Sequence, residues 1–233
     1  MVVEVIAISL TDAKIAQEAG ADRIELVAGI VEGGLTPSYA MIEHVCSELT
    51  IPVNVMIRPH SRSFFYDEYD VQIMLRDIQL CKKLGASGIV VGALTEKHEI
   101  DQYTLNQFIV AADGLDITFH RAFDEVNNQS KALDTLMSFK EVSRVLTSGG
   151  KNKVMDAVKE MQALVQQSTQ SHVKIMAGSG LSPATLPSFI NQVDVPELHF
   201  GTGVRYQASF DKAIDASKIR KIREIILSHS SIQ

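Results

Sequence analysis

A single-domain (β/α)8 TIM barrel is the fold this sequence predicts, and three observations predict it. Eight short β-rich runs alternate with helical stretches across 233 residues, close to the ~250 residues such a barrel usually takes. No change of composition marks a second domain. The strands carry polar residues at alternate positions, whereas the central strands of a doubly wound open sheet, the competing architecture, are apolar on both faces.

Residues 2–8 form the first β-rich run. Thr11 is placed to cap a helix over 12–19, which Gly20 stops. Residues 23–27 give the second strand, and Ser38 opens a helix to about 49 after a loop through Gly33, Gly34 and Pro37. The third strand, 53–57, ends at Arg58-Pro59, because a residue before proline leaves regular geometry. A polar, aromatic loop over 60–69 precedes a helix over 70–84. Strand four (88–94) and its helix (101–112) follow, then strand five (116–121) with a helix over 131–139. Strand six (144–147) leads through Ser148-Gly149-Gly150 into a helix over 152–167. Strand seven (173–177) ends in Gly178-Ser179-Gly180, with Ser182-Pro183 as the start of a helix to about 192. Strand eight (197–200) ends in Gly201-Thr202-Gly203, and the last helix covers 215–228.

Composition narrows the function classes. The net charge of -6 and the absence of a long Lys/Arg run argue against nucleic acid and membrane surfaces as partners. No apolar run approaches ~18 residues, the length that spans a bilayer. The chain reads straight into a strand with no leader, and its two cysteines, Cys46 and Cys81, are far apart. A cytoplasmic location is the expectation. His44, His98, His172 and His229 fall in helices or loops and read as surface residues.

Strand alternation assigns directions. With the apolar residues facing the helices, the barrel interior receives Glu4, Glu25, Asn54, Arg58, Thr118, His120 and His199. Arg23 and Glu197 also point inward by the same count. Buried charges must pair, so Glu4, Glu25 and Arg58 are expected to be joined by hydrogen bonds. This polar interior is either an ion-pair layer that fixes register or a binding cavity at the C-terminal mouth, where barrel sites are built.

The stretch His120, Arg121, Ala122, Phe123, Asp124 concentrates ionisable groups at a strand end. Glu25, Arg58, His120, Arg121 and Asp124 are therefore the candidate catalytic residues: arginines to hold an anion or polarise a carbonyl, His120 or Glu25 to move a proton. Alternation forbids His120 and Arg121 from both pointing inward in a regular strand, so Arg121 must lie in the loop to serve the site. Gly178, Ser179, Gly180, Gly201, Thr202 and Gly203 stand after strands seven and eight, where barrels often hold a phosphate, and Ser148 could widen that cradle. A small anionic ligand is the partner these loops suggest; plain tight turns are the alternative. The loop carrying Arg62, Phe64, Phe65, Tyr66 and Tyr69 is either a lid or packing over the barrel end. No P-loop, HExxH motif or Ser-His-Asp signature is present.

Five collinear pieces give the chain a specific resemblance to the CutC family. They are residues 20–26 (GADRIEL), 32–38 (EGGLTPS), 57–59 (IRP), 118–124 (TFHRAFD) and 144–149 (RVLTSG). The resemblance implies a cytoplasmic TIM barrel, often found as an oligomer and named for copper homeostasis; a homo-oligomer and a copper cofactor are expectations on that ground alone. Many members carry cysteine after the Glu-Leu of strand two, and some at the end of strand one. Val27 and Ile6 stand at those positions here. Copper(I) prefers thiolate and thioether ligands, so weak copper(I) binding without defined stoichiometry is expected. The second expectation, from the residues, is a barrel enzyme acting on a small anionic or phosphorylated metabolite.

Overall fold

A computed structural model describes residues 1–230. Eight parallel strands close into a barrel in sequence order. The repeating units are β1 (Val2–Ala7) and α1 (Leu10–Ala19), β2 (Arg23–Leu26) and α2 (Tyr39–Glu48), β3 (Val53–Met56) and α3 (Glu68–Lys83), β4 (Gly88–Val91) and α4 (Gln102–Ala112). The second half holds β5 (Asp116–Phe119) and α5 (Gln129–Met137), β6 (Val142–Thr147) and α6 (Val158–Ser168), β7 (Lys174–Ala177) and α7 (Leu186–Ile190), β8 (Glu197–Phe200) and α8 (Ala216–Ser230). Val2 of β1 pairs with Glu197 of β8 and Val5 with Phe200, which closes the sheet and leaves no edge.

Each strand buries two faces of different chemistry. Val3, Val5, Ile24, Leu26, Val53, Val55, Ile117, Phe119, Leu198 and Phe200 point to the helices and belong to one large apolar core. Inside the barrel the apolar part is smaller: Ile6, Val27, Met56 and Val90 form one cluster, and Leu146 and Met176 are buried beside the polar residues. The remaining interior is polar, with Glu4, Arg23, Glu25, Asn54, Thr118, Arg144, Glu197 and His199 all buried. Gly88 makes that filling possible, since a Cβ there would sit 2.6 Å from the Asn54 side-chain oxygen and from the Asp116 carbonyl.

Helix starts differ from the sequence expectation where side chains offered several caps. Ser9, not Thr11, caps α1, accepting from the Asp12 N–H at 3.1 Å. Residues Val154–Asp156 form a separate 3-10 turn, so α6 begins at Val158 rather than near 152. Ser182 and Thr185 hydrogen-bond to each other's backbone N–H groups in a turn, and α7 begins only at Leu186.

Candidate active site at the barrel mouth

The interior charges form one connected chain. Arg23 bridges Glu4 and Glu197, and Arg144 joins Glu197 at 2.9 Å and also pairs with Asp116. Arg144 donates to Thr118 Oγ1 at 3.0 Å, which accepts from Asn54 at 3.4 Å. At the other end, His199 Nδ1 meets Glu4 Oε1 at 2.7 Å, while its Nε2 lies 3.7 Å from Glu25 Oε2. The arginines that pair the buried acids are therefore Arg23 and Arg144, not Arg58. Arg58 lies two residues beyond the end of β3. Its guanidinium donates instead to the carbonyls of Glu32 (3.0 Å), Gly34 (3.4 Å) and Ser61 (3.4 Å). The expected Glu4–Glu25–Arg58 network is corrected accordingly. Arg144 was not singled out in the sequence, although alternation with Val145 places it inward.

Charge balance in this chain sets the state of Glu25. Glu4, Asp116 and Glu197 all pair with Arg23 or Arg144, whereas Glu25 meets no arginine among the described residues and has only His199 Nε2 at 3.7 Å. Burial pushes its carboxyl up, and neighbouring Glu4 adds to the shift that His199 opposes; the result is about 7. Burial would also raise Glu4, but Arg23 and His199 outweigh it and hold Glu4 well below the usual range. Burial would lower His199, and the carboxylates of Glu25 and Glu4 raise it instead. Glu25 Oε1 is buried with no hydrogen-bond partner among the described residues.

Above this floor opens a cavity of about 250 Å³. Glu25, Arg58, His120, Arg121 and His199 line it, together with Ser179, Gly180, Gly201, Thr202 and Gly203. The loops after β7 and β8 thus face the same opening as His120. The backbone N–H groups of Ser179, Gly180, Thr202 and Gly203 donate to no acceptor among the described residues. Gly203 lies so close to the Leu181 carbonyl that a Cβ would collide with it, which presses the two loops together. Gly180 has φ +84°, a left-handed conformation suited to glycine.

His120 directly follows β5 and lines the cavity, and the chain then enters a 3-10 turn, Arg121–Glu125. Its Nδ1 accepts from the Ala122 N–H at 3.2 Å, so the neutral ring carries its proton on Nε2. That Nε2 is buried and unpartnered among the described residues. Burial, helped by the positive charge of Arg58, pushes the ring down to about 3 and keeps it neutral. Phe64 packs on it with ring centroids 4.8 Å apart and also carries the Arg58 guanidinium 4.5 Å above its ring.

Arg121 does lie in the loop, as its place in the cavity wall requires. It is tied to Asp124 at 2.8 Å and to Ser148 Oγ at 2.9 Å. Asp124 itself is outside the cavity lining: its carboxylate accepts from the N–H groups of Ser148 (3.1 Å) and Gly150 (3.0 Å) and from the Thr147 hydroxyl. It holds the loop after β6 much as a bound anion would, and occupies the Ser148-Gly149-Gly150 cradle. Gly178 lies below the opening, its N–H bound to the Thr147 carbonyl at 3.0 Å. No thiol reaches the cavity lining. Cys81 is buried in the outer core and Cys46 packs against it.

The CutC family model matches residues 1–204. A family protein CutC from Histophilus somni is 39% identical over 209 residues, covering 90% of this chain and 85% of that protein. A human protein named copper homeostasis protein cutC homolog is 37% identical over 196 residues, covering 84% and 71%. Among solved structures, a CutC from Streptococcus agalactiae superposes with a TM-score of 0.80 at 31% identity, covering 86% of this chain and 98% of that one. A phosphoribosyl anthranilate isomerase from Thermotoga maritima, at 14% identity and TM-score 0.64 over 98% of this chain and 100% of the other, shares the barrel fold. The chain belongs to the CutC family.

Proposed function

We propose that the barrel mouth binds a small anionic molecule and transfers a proton on it, with Glu25 as the acid–base group. One observation carries this reading. Arg58 is buried at the cavity wall, has no carboxylate partner among the described residues, and keeps its Nε–H unpartnered. Buried charges are normally paired, so the cavity is complementary to a ligand that supplies the missing negative charge. The unpaired N–H groups of Ser179, Gly180, Thr202 and Gly203 on the same opening support it. Inorganic phosphate should raise the melting temperature of the wild type with saturation, since a ligand that binds only the folded state stabilises it by mass action. Arg58→Met and Gly180→Val should each remove most of that increase. An increase unchanged in both variants sinks the reading.

The names of relatives support a second reading, copper handling, and a cytoplasmic location is part of that proposal. The cavity offers the imidazoles of His120 and His199, the Glu25 carboxyl and the Met56 thioether, but no thiolate, so the residues do not fit a thiolate copper(I) site. The closest donor set is Glu4, Glu25 and His199, whose ligating atoms lie within 4.8 Å of one another; there, however, Glu4 faces His199 Nδ1 and already serves Arg23. Copper(I) titration against a thiol competitor separates the readings. Tight one-to-one binding that survives replacement of Cys46 and Cys81 establishes copper handling; weak binding without stoichiometry favours the anion site.

A further inference from the structure

Two groups at the cavity are incomplete in complementary ways. Among the described residues His120 Nε2–H is a donor without an acceptor and Glu25 Oε1 an acceptor without a donor; both are buried. Glu25 is on β2 and His120 directly follows β5, three strands away around the closed barrel, and both residues line the one cavity. The ring of His120 cannot turn its proton elsewhere, because Nδ1 is engaged by the Ala122 N–H. Gly92 leaves the ring its space: a Cβ there would sit 2.5 Å from it. Among the described lining residues neither hydroxyl is paired with a base: Ser179 donates to the Asn152 carbonyl, and Thr202 Oγ1 makes no side-chain hydrogen bond. A fixed neutral donor opposite a carboxylate suits one class of chemistry above others: removal of a proton from carbon next to a carbonyl, with the developing oxyanion held by the donor.

Resting on the anion-site reading, we infer that the substrate is a phosphorylated α-hydroxy aldehyde or ketone and that the reaction is a proton shift between its two adjacent carbons. The phosphate lies on the loops after β7 and β8. Glu25 takes the proton from the hydroxyl-bearing carbon; that C–H bond breaks, and its electron pair forms the carbon–carbon double bond. The carbonyl π pair moves onto oxygen, which takes the Nε2 proton of His120. The hydroxyl of the other carbon then returns a proton to His120 as its own carbonyl forms. Glu25 gives its proton to the first carbonyl carbon. No oxidant or co-reactant is needed. Arg58 beside His120 stabilises the oxyanion, and a cavity of about 250 Å³ limits the substrate to a small sugar phosphate.

The test uses the purified full chain in heavy water with dihydroxyacetone phosphate, glycolaldehyde phosphate and ribulose phosphate as probes. Proton NMR follows exchange of the hydrogen next to the carbonyl, and calorimetry compares inorganic phosphate with phosphoglycolate, whose planar carboxylate imitates the enediolate. Wild type should accelerate exchange in at least one probe and bind phosphoglycolate at least about tenfold tighter than phosphate. Glu25→Gln and His120→Asn should each slow exchange by at least about a hundredfold while still binding phosphate. Gly203→Val should lose both properties. Phosphate binding without exchange in any probe, and without preference for phosphoglycolate, overturns this inference and leaves the anion site standing. No binding of either anion overturns both. The wild-type comparison decides the matter even where a variant fails to fold.

Discussion

Glu25 is expected to cost the protein stability at neutral pH. Its carboxyl is raised from 4.5 to about 7 in the folded state. Between those values the folded chain holds a proton that the unfolded chain has released, so the contribution is fully present below about 4.5 and is lost as pH rises through about 7. Glu25→Gln removes that loss. The variant should gain about 2–3 kcal/mol relative to wild type between pH 5 and pH 8, measured by urea unfolding at both values. A constant difference would show that Glu25 ionises normally. His120 acts on the acid side. Its folded value is depressed to about 3, so its neutral burial destabilises the fold progressively as pH falls below its ordinary value of 6.5, and His120→Asn should unfold less readily than wild type on acidification. The clustering of His120, Arg121 and Asp124 was legible in the sequence, as were the inward place of His120 and the loop place of Arg121; the destination of Asp124 was not. The turn that begins at Arg121 sends His120 into the cavity and Asp124 to the loop after β6. Backbone direction beyond a strand end leaves no periodic trace in the residues.

At the scale of elements, glycines in β4 and just past it set side-chain positions by omission. Gly92, just past β4, faces the His120 ring of the neighbouring β5. Gly92→Ala should push that ring out of place and cost roughly 1–3 kcal/mol as an overpacked site, while far-UV circular dichroism stays that of the parent. Any anion response that depends on His120 should fall with it; a variant with wild-type stability would mean the ring moves freely. Strand directions were readable because alternation is a local property of each strand, and it placed Glu4, Glu25, Asn54, Thr118 and His199 in the interior. Pairing was harder. Whether an arginine meets an acid depends on its height in the barrel, which strand tilt and stagger fix jointly. Arg23 sits level with Glu4 in the register of β1 and β2, whereas Arg58 rises above the sheet and bonds to loop carbonyls. The helix start at 186 was missed because serine and threonine side chains there stabilise a turn as well as they cap a helix, and the start at 158 because a separate 3-10 turn over Val154–Asp156 precedes it.

Across the whole molecule, the buried chain from Asn54 to Glu25 ties six of the eight strands together through side chains. Removing a link leaves carboxylates unpaired in the barrel. Arg23→Leu, which strips Glu4 and Glu197 of a shared partner, should cost on the order of 3–5 kcal/mol, whereas Arg58→Leu orphans no carboxylate and should cost less. Equal melting temperatures for Arg23→Leu and wild type would contradict the network. The same charge balance leaves Glu25 without its own counter-ion and Arg58 facing an open cavity, so the interior that holds the barrel together also prepares its mouth for an anion. Amide NMR on the labelled wild type, titrated with inorganic phosphate, tests this most directly. The expected result is saturable shifts, with one shared affinity, concentrated at Ser179, Gly180, Thr202 and Gly203 and extending to His120. Shifts absent there, or scattered over the outer helices, would contradict an anion site at the barrel mouth.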